Sequence, residues 1–227
     1  MNVRRVVSLN LSSLQPMEYS GNTIYTGIFK SPVIGPVTVR TLAIDGDSQA
    51  DLVNHGGVDK AVYFYPQEHY AYWAGILGVK ELSAGALGEN FTTIGILENE
   101  AFIGDRWKLG TAIFEITQPR SPCYKLAQKF HRADLVSKFL EADKPGFYAS
   151  VVEEGIVEEG DELTLVSRAS ERISVRDVFR LAAHFDFAPD LRLAIVRSER
   201  IPDFWRRKVL ARGGDSLMSS ARQTESR

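Results

Sequence analysis

The sequence predicts a mainly β fold: a closed or sandwiched β architecture with peripheral helices over residues 1–167, then a small three-helix domain over residues 168–212. Two observations carry this reading. Up to about residue 167, apolar and β-branched residues come in short runs broken by Gly, Pro and Asn, and helical spacing is sparse. Beyond Ser167 the spacing turns helical, starting at a recognisable cap.

Taken in order, Val3 to Leu11, Ile24 to Phe29 and Val37 to Leu42 carry strand signatures, with Pro32, Gly35 and Pro36 as turn punctuation. A polar loop from Asp45 to Lys60 follows, and Ala61 to Tyr65 reads as a buried strand that Pro66 ends. In Gln67 to Leu77, Tyr70, Trp73, Ala74 and Leu77 fall on one face of a helix. Short strands are expected at Asn90 to Thr93, Arg106 to Leu109 and Ala112 to Thr117. After Cys123 the pattern is helical to about Leu140, then extended at Phe147 to Val152 and Glu162 to Val166. Ser174 caps the next helix with Asp177 three residues on, and Ile173 and Val178 are placed as a hydrophobic staple. Pro189 to Val196 and Ile201 to Leu210 supply two further helices, and from Gly213 onward a disordered tail is expected.

Composition narrows the function. With 227 residues, 44% hydrophobic and 25% charged, a globular protein with a sizeable core is expected. The 27 Lys and Arg against 29 Asp and Glu leave a formal charge of -2, which removes the bulk-charge argument for a general nucleic-acid binder. The longest apolar stretch, Tyr70 to Val79, is about half of what crosses a bilayer, and the first residues lack a secretory apolar core, so a cytoplasmic protein is expected. A sole cysteine, Cys123, excludes an intramolecular disulfide and a four-cysteine zinc site.

Three segments carry chemistry. Cys123 ends Gln118-Pro119-Arg120-Ser121-Pro122-Cys123 at the expected start of a helix, flanked by Arg120 and Lys125. A lone cysteine is most often an inert buried thiol, but neighbouring cations and a helix N-terminus favour the thiolate, a nucleophile or a soft-metal ligand. Asn54-His55-Gly56-Gly57-Val58-Asp59-Lys60 reads either as a surface turn or as backbone N–H groups turned toward a phosphate with Lys60 adding charge. Gly88-Glu89-Asn90 is a turn entering a strand, whose Asn90 either caps the turn or offers an amide to a heterocycle. Asp45, Asp47 and Asp51 are spaced like calcium ligands, but Ala50 and Gly56 occupy positions where that loop needs Gly and an acid.

Together with Ile103-Gly104-Asp105 and Ala61-Val62-Tyr63, these elements resemble the MOSC family, named for the C-terminal domain of molybdenum-cofactor sulfurase, through most of residues 1–167. Residues 173–212, including Phe204-Trp205-Arg206, are similar to the three-helix domain that follows MOSC in one bacterial subgroup, itself similar to reductases that detoxify N-hydroxylated bases such as 6-hydroxylaminopurine. The resemblance implies a β-barrel that holds the molybdenum cofactor, molybdopterin, with Cys123 on molybdenum. It places Asn54, Gly56, Gly57, Lys60, Asn90, Arg120 and Ser121 at the cofactor, the glycine loop with Lys60 at the phosphate and Asn90 at the pterin edge. It puts His55 near the metal as an orienting group or proton donor. An arginine expected near position 150 is absent, since Tyr148-Ala149-Ser150 stands there.

The implied activity is two-electron reduction of an N-hydroxylated substrate. No flavin or nicotinamide motif is visible, so electrons are expected from a separate flavoprotein-type reductase, with the chain a monomer or homodimer. A non-catalytic carrier of cofactor, or of persulfide sulfur on Cys123, uses the same residues. A nucleic-acid binder built on residues 170–212 rests only on ten basic residues against six acidic ones.

Overall fold

A computed structural model describes residues 3–50, 56–184 and 188–213. The chain opens with β1 (Arg5–Leu11), then a hairpin of β2 (Gln15–Tyr19) and β3 (Asn22–Thr26). Ser20 and Gly21, both at positive φ, make its two-residue turn. Two short strands, β4 (Ser31–Pro32) and β5 (Val37–Val39), precede β6 (Val62–Pro66), which is buried along its whole length. A 3-10 turn at Gln67–His69 leads into α1 (Tyr70–Leu77), which buries Tyr70, Trp73 and Ala74 as their spacing predicts. Next come β7 (Phe91–Ile94), β8 (Arg106–Leu109) and β9 (Ala112–Pro119), then α2 (Tyr124–Lys129) and α3 (Leu135–Ala142). The chain continues with β10 (Phe147–Glu153), β11 (Gly155–Val157) and β12 (Thr164–Ser167), and closes with α4 (Val175–Ala183), α5 (Pro189–Arg197) and α6 (Asp203–Gly213). The tail read as disordered beyond α6, residues 214–227, lies outside the described residues.

The architecture is mixed α/β: one large sheet in the order β12-β8-β9-β10-β6-β7-β1-β4, two small ribbons (β11-β5 and β2-β3), and the C-terminal helices. The expected closed barrel is not found. Among the described residues β12 and β1 do not pair as strands. Their seam is crossed by a single bridge, Arg5 to Glu162, and by backbone bonds such as Val6 N to Asp161 O at 3.0 Å and Leu163 N to Arg4 O at 2.8 Å. The turn ahead of β12, with Gly160 at φ 94°, breaks the extended backbone there, so a ladder cannot propagate across. Among the described residues every strand pair is antiparallel except β6 with β7.

Four adjacent strands pack one aromatic cluster. Phe64 of β6 stacks on Phe147 of β10 at 5.4 Å between ring centroids and meets Phe91 of β7 at 4.8 Å and Phe114 of β9 at 5.5 Å. All four rings are buried, and burial of each stabilises the fold by about 2 kcal/mol on area grounds. This fixes the strands whose ends carry the site.

The C-terminal helices attach by backbone bonds: Ile103 N to Ile173 O and Val175 N to Ala101 O, both 2.9 Å, and Arg176 N to Glu98 O at 3.0 Å. The capping box read from Ser174 is present in full, with Asp177 N donating to Ser174 Oγ at 3.1 Å and Ser174 N donating to Asp177 Oδ2 at 3.0 Å. Ser174→Ala leaves the Asp177 amide without its acceptor. It should lower unfolding free energy by about 1 kcal/mol, read as a reduced midpoint in urea denaturation.

Candidate functional site

One end of the sheet opens into a cleft lined by Lys30, Gln49, Tyr63, Asn90, Arg120 and Cys123 among others. Its floor is a turn built around a buried carboxylate. Glu89, fully buried, accepts backbone N–H from Gly85 at 3.0 Å and Leu87 at 3.1 Å and the hydroxyls of Tyr70 and Thr92. The turn lies tight against its neighbours: at Gly85, φ +79°, a Cβ would sit 2.8 Å from Lys30 O.

The next residue, Asn90, is 2% exposed and joins three parts of the chain. Its Oδ1 accepts Tyr63 N at 3.1 Å, and its Nδ2 donates to Asp47 Oδ2 at 2.9 Å and Asn10 O at 3.4 Å. Both amide hydrogens are thus engaged inside the protein, and Oδ1 keeps a second lone pair beyond its bond from Tyr63. Asp47 in turn accepts Lys30 Nζ on both oxygens, at 2.5 and 2.6 Å, and Ser12 N at 3.0 Å. The Lys30 and Asp47 side chains are 7% and 1% exposed, so the pair is held out of water, and burial lowers the lysine's pKa against the pull of Asp47. Asp47 therefore serves as an ion-pair acceptor.

Arg120 follows the end of β9 and is 5% exposed. It donates to Leu87 O and lies over the rings of Tyr63, 5.0 Å to the centroid, and Phe139, 5.7 Å. Among the described residues no carboxylate pairs with it. Burial, the largest influence, acts against its charge, and the pKa is raised only through the ionised forms that Tyr63, Tyr148 and Cys123 take at high pH. Burial raises the pKa of both phenols, so they stay neutral beside it. Cys123 is half-buried and is the residue from which α2 starts, with extended backbone at φ -134° and ψ 164°. Lys125, the second residue of α2, is buried and also lines the cleft.

The structure thus brings Cys123, Arg120 and Asn90 into one cleft. Gly56, Gly57, Lys60 and Ser121 are described but do not line it. Gly57 takes φ 93° and ψ 167°, which only glycine adopts at low cost, and it leads into a 3-10 turn at Val58–Lys60 whose Lys60 O accepts from Gln49 of the cleft wall at 3.4 Å. Asn54 and His55 lie outside the described residues. Sequence reasoning missed Lys30, Tyr63, Tyr148 and Gln49 and weighed Asp47 only as a calcium ligand. The readable signal at Lys30 is a charge set between Phe29 and Pro32 at the end of an apolar run. Among the described residues no three of His, Cys, Asp or Glu group as a metal site, and no helix is long and apolar enough to cross a membrane.

Lys129 sits behind the floor, donating to Ile28 O at 2.9 Å and Gly85 O at 3.3 Å. Burial lowers its pKa to about 8, with Glu89 opposing and Arg120 and Lys30 assisting. Its folded pKa lies below the unfolded value of 10.5, so the unfolded chain binds the extra proton between these two values and this group adds stability as pH rises from about 8 to 10.5. Denaturation midpoints measured across that window should rise less steeply for Lys129→Met than for the natural chain.

Known proteins resemble this chain in sequence and in fold. The model of the family described as "MOSC domain" matches residues 51–164. The chain is 46% identical over 179 residues to the uncharacterized protein YflK of Bacillus subtilis, covering 79% of this chain and 80% of that one. It is 30% identical over 164 residues to a protein named "Reductase" from Gibberella moniliformis, spanning 71% of this chain but 29% of the fungal one. The crystal structure of YiiM from Geobacillus stearothermophilus superposes with a TM-score of 0.74 at 32% identity, over 92% of this chain and 98% of that one. With a cysteine cleft at the sheet end and relatives of this closeness, the chain belongs to the MOSC domain family, in the subgroup of bacterial YiiM and YflK.

Proposed function

We propose that this chain is a molybdenum-cofactor-dependent reductase of N-hydroxylated compounds, 6-hydroxylaminopurine or hydroxylamines among them, with Cys123 as the metal ligand. The observation that carries it is the meeting of the sole thiol and a buried guanidinium without a carboxylate partner among the described residues in one cleft. Membership of the MOSC family and the fungal relative's name support it.

The donor set fits the cofactor. A soft thiolate suits molybdenum, which pterin dithiolene sulfur also favours. A charge as buried as Arg120 calls for a strong acceptor, which a pterin phosphate would supply as an anion and a pterin carbonyl as a neutral oxygen. When bound, the cofactor supplies two-electron reduction of an N–O bond. Cys123 holds the metal at the start of α2, and Arg120 holds the anionic end against Tyr63. Asn90 keeps the floor in register, with Oδ1 toward the pterin edge. The family resemblance assigns Asn54, Gly56, Gly57, Lys60 and Ser121 to the same cofactor and His55 to hand over protons, although Gly56, Gly57, Lys60 and Ser121 stand outside the lining of the cleft.

Reduction of the substrate R–NHOH to R–NH2 and water consumes two protons and two electrons. A separate flavoprotein-type reductase supplies the electrons, and a cytoplasmic setting suits such a partner. The domain division at residue 168 and a monomeric or homodimeric state are part of the same proposal.

Protein made in molybdenum-replete, cofactor-competent cells should contain molybdenum and pterin and reduce 6-hydroxylaminopurine with an artificial electron donor. Cys123→Ala should lose turnover by at least about 1000-fold while keeping its fold. Bound cofactor without turnover in the natural chain favours the carrier reading instead, and absence of both molybdenum and pterin overturns the proposal. Arg120→Met should lower cofactor retention about tenfold or more, through loss of a charge-assisted contact.

A further inference from the structure

The glycine turn is held from a distance. Thr117 Oγ1 and Gln118 Nε2 both donate to Asp59 O, at 2.6 and 3.3 Å. Successive residues of a regular strand point to opposite faces, so two neighbours cannot serve one carbonyl. Here they do because β9 carries a bulge. Tyr148 pairs with Gln118 and Ala149 with Ile116, which leaves Thr117 without an opposite residue and re-aims the side chains.

The third member comes from α6. Trp205, 2% exposed, donates its Nε1–H to Gln118 Oε1 at 3.0 Å. An indole N–H only donates and a carbonyl only accepts, so these two partners admit a single orientation of the Gln118 amide. Oε1 faces Trp205 and Nε2 faces Asp59. Gln118 is 3% exposed, so water does not offer an alternative. Lys60 O, next along the turn, is held by Gln49 of the cleft wall.

From this chain of bonds we infer that Gln118 and Trp205 are positioning residues for the glycine turn, so that α6 sets the turn's place beside the cleft. That the turn serves a cofactor rests on the function proposed above. That it is positioned through Gln118 does not, and is tested without cofactor.

Hydrogen exchange of the 57–61 amides is compared in the natural chain, Gln118→Glu and Trp205→Phe. The glutamate keeps an acceptor for Trp205 but sets an oxygen against Asp59 O, and exchange should rise about tenfold there. The phenylalanine keeps a buried aromatic ring but removes the N–H together with part of the indole, so about threefold is expected at 57–61 beyond any change in the chain as a whole. In both variants exchange in β1 and β7 should stay as it is. Exchange at 57–61 that is unchanged, or that rises only in step with the whole chain, overturns the inference. If Gln118→Glu does not fold, Trp205→Phe decides by the same criterion.

Molybdenum per chain in cofactor-competent cells is the second measurement, expected to fall at least about threefold in Gln118→Glu. Equal loading of this variant and the natural chain overturns the link from Gln118 to the cofactor. A natural chain without molybdenum overturns the proposed function while the exchange result still decides the positioning.

Discussion

The cleft depends on the burial of one amide. Asn90 must find partners for two donors and an acceptor where water cannot reach, and it finds them on β6, in the loop that carries Asp47, and at the end of β1. These groups are 27, 43 and 80 residues away along the chain. Satisfying one side chain therefore fixes the relative positions of three distant segments. Asn10 reinforces the lock by donating its own amide to Thr92 Oγ1 at 3.0 Å and its backbone N–H to Asn90 O at 2.7 Å.

Charge is placed on that frame in a definite order. Asp47 is oriented by Asn90 and Ser12 before it meets Lys30, so the buried ion pair has its remaining lone pairs occupied, the condition under which such a pair is tolerated. Glu89 is stabilised differently, by four uncharged protein donors arranged around its turn. Arg120 stands apart from both. Its contacts are a carbonyl and aromatic faces, which stabilise a cation without cancelling it. Its positive charge shares the cleft with the thiol of Cys123.

The bulge in β9 explains how one strand serves two layers. Before Thr117 its buried residues Phe114 and Ile116 pack the core by regular alternation. After it, Gln118 reaches both α6 and the glycine turn, and Arg120 follows into the cleft. The helices after residue 173 and the sheet share a continuous apolar core, in which Trp205 packs on Phe179 of α4 at 6.1 Å.

Local features were legible in the sequence by itself. Strand and helix spacing, the Ser174 capping box, the arrest of β6 at Pro66 and the placement of Cys123 at a helix start beside Arg120 depend on residues within a few positions of each other. The resemblance carried by the glycine, Gly88-Glu89-Asn90 and cysteine motifs rests on short spacings too. The hairpin of β2 and β3 was hidden because its signal is a bare Ser-Gly pair among mixed residues. Tertiary structure alone decided that the sheet stays open at the seam of β1 and β12, that Asp47 takes Lys30, and that Gln118 joins α6 to the turn. These depend on groups far apart along the chain, 17 residues for Lys30 and Asp47 and 87 for Gln118 and Trp205, and such meetings follow from how buried polar groups are jointly satisfied rather than from any local pattern.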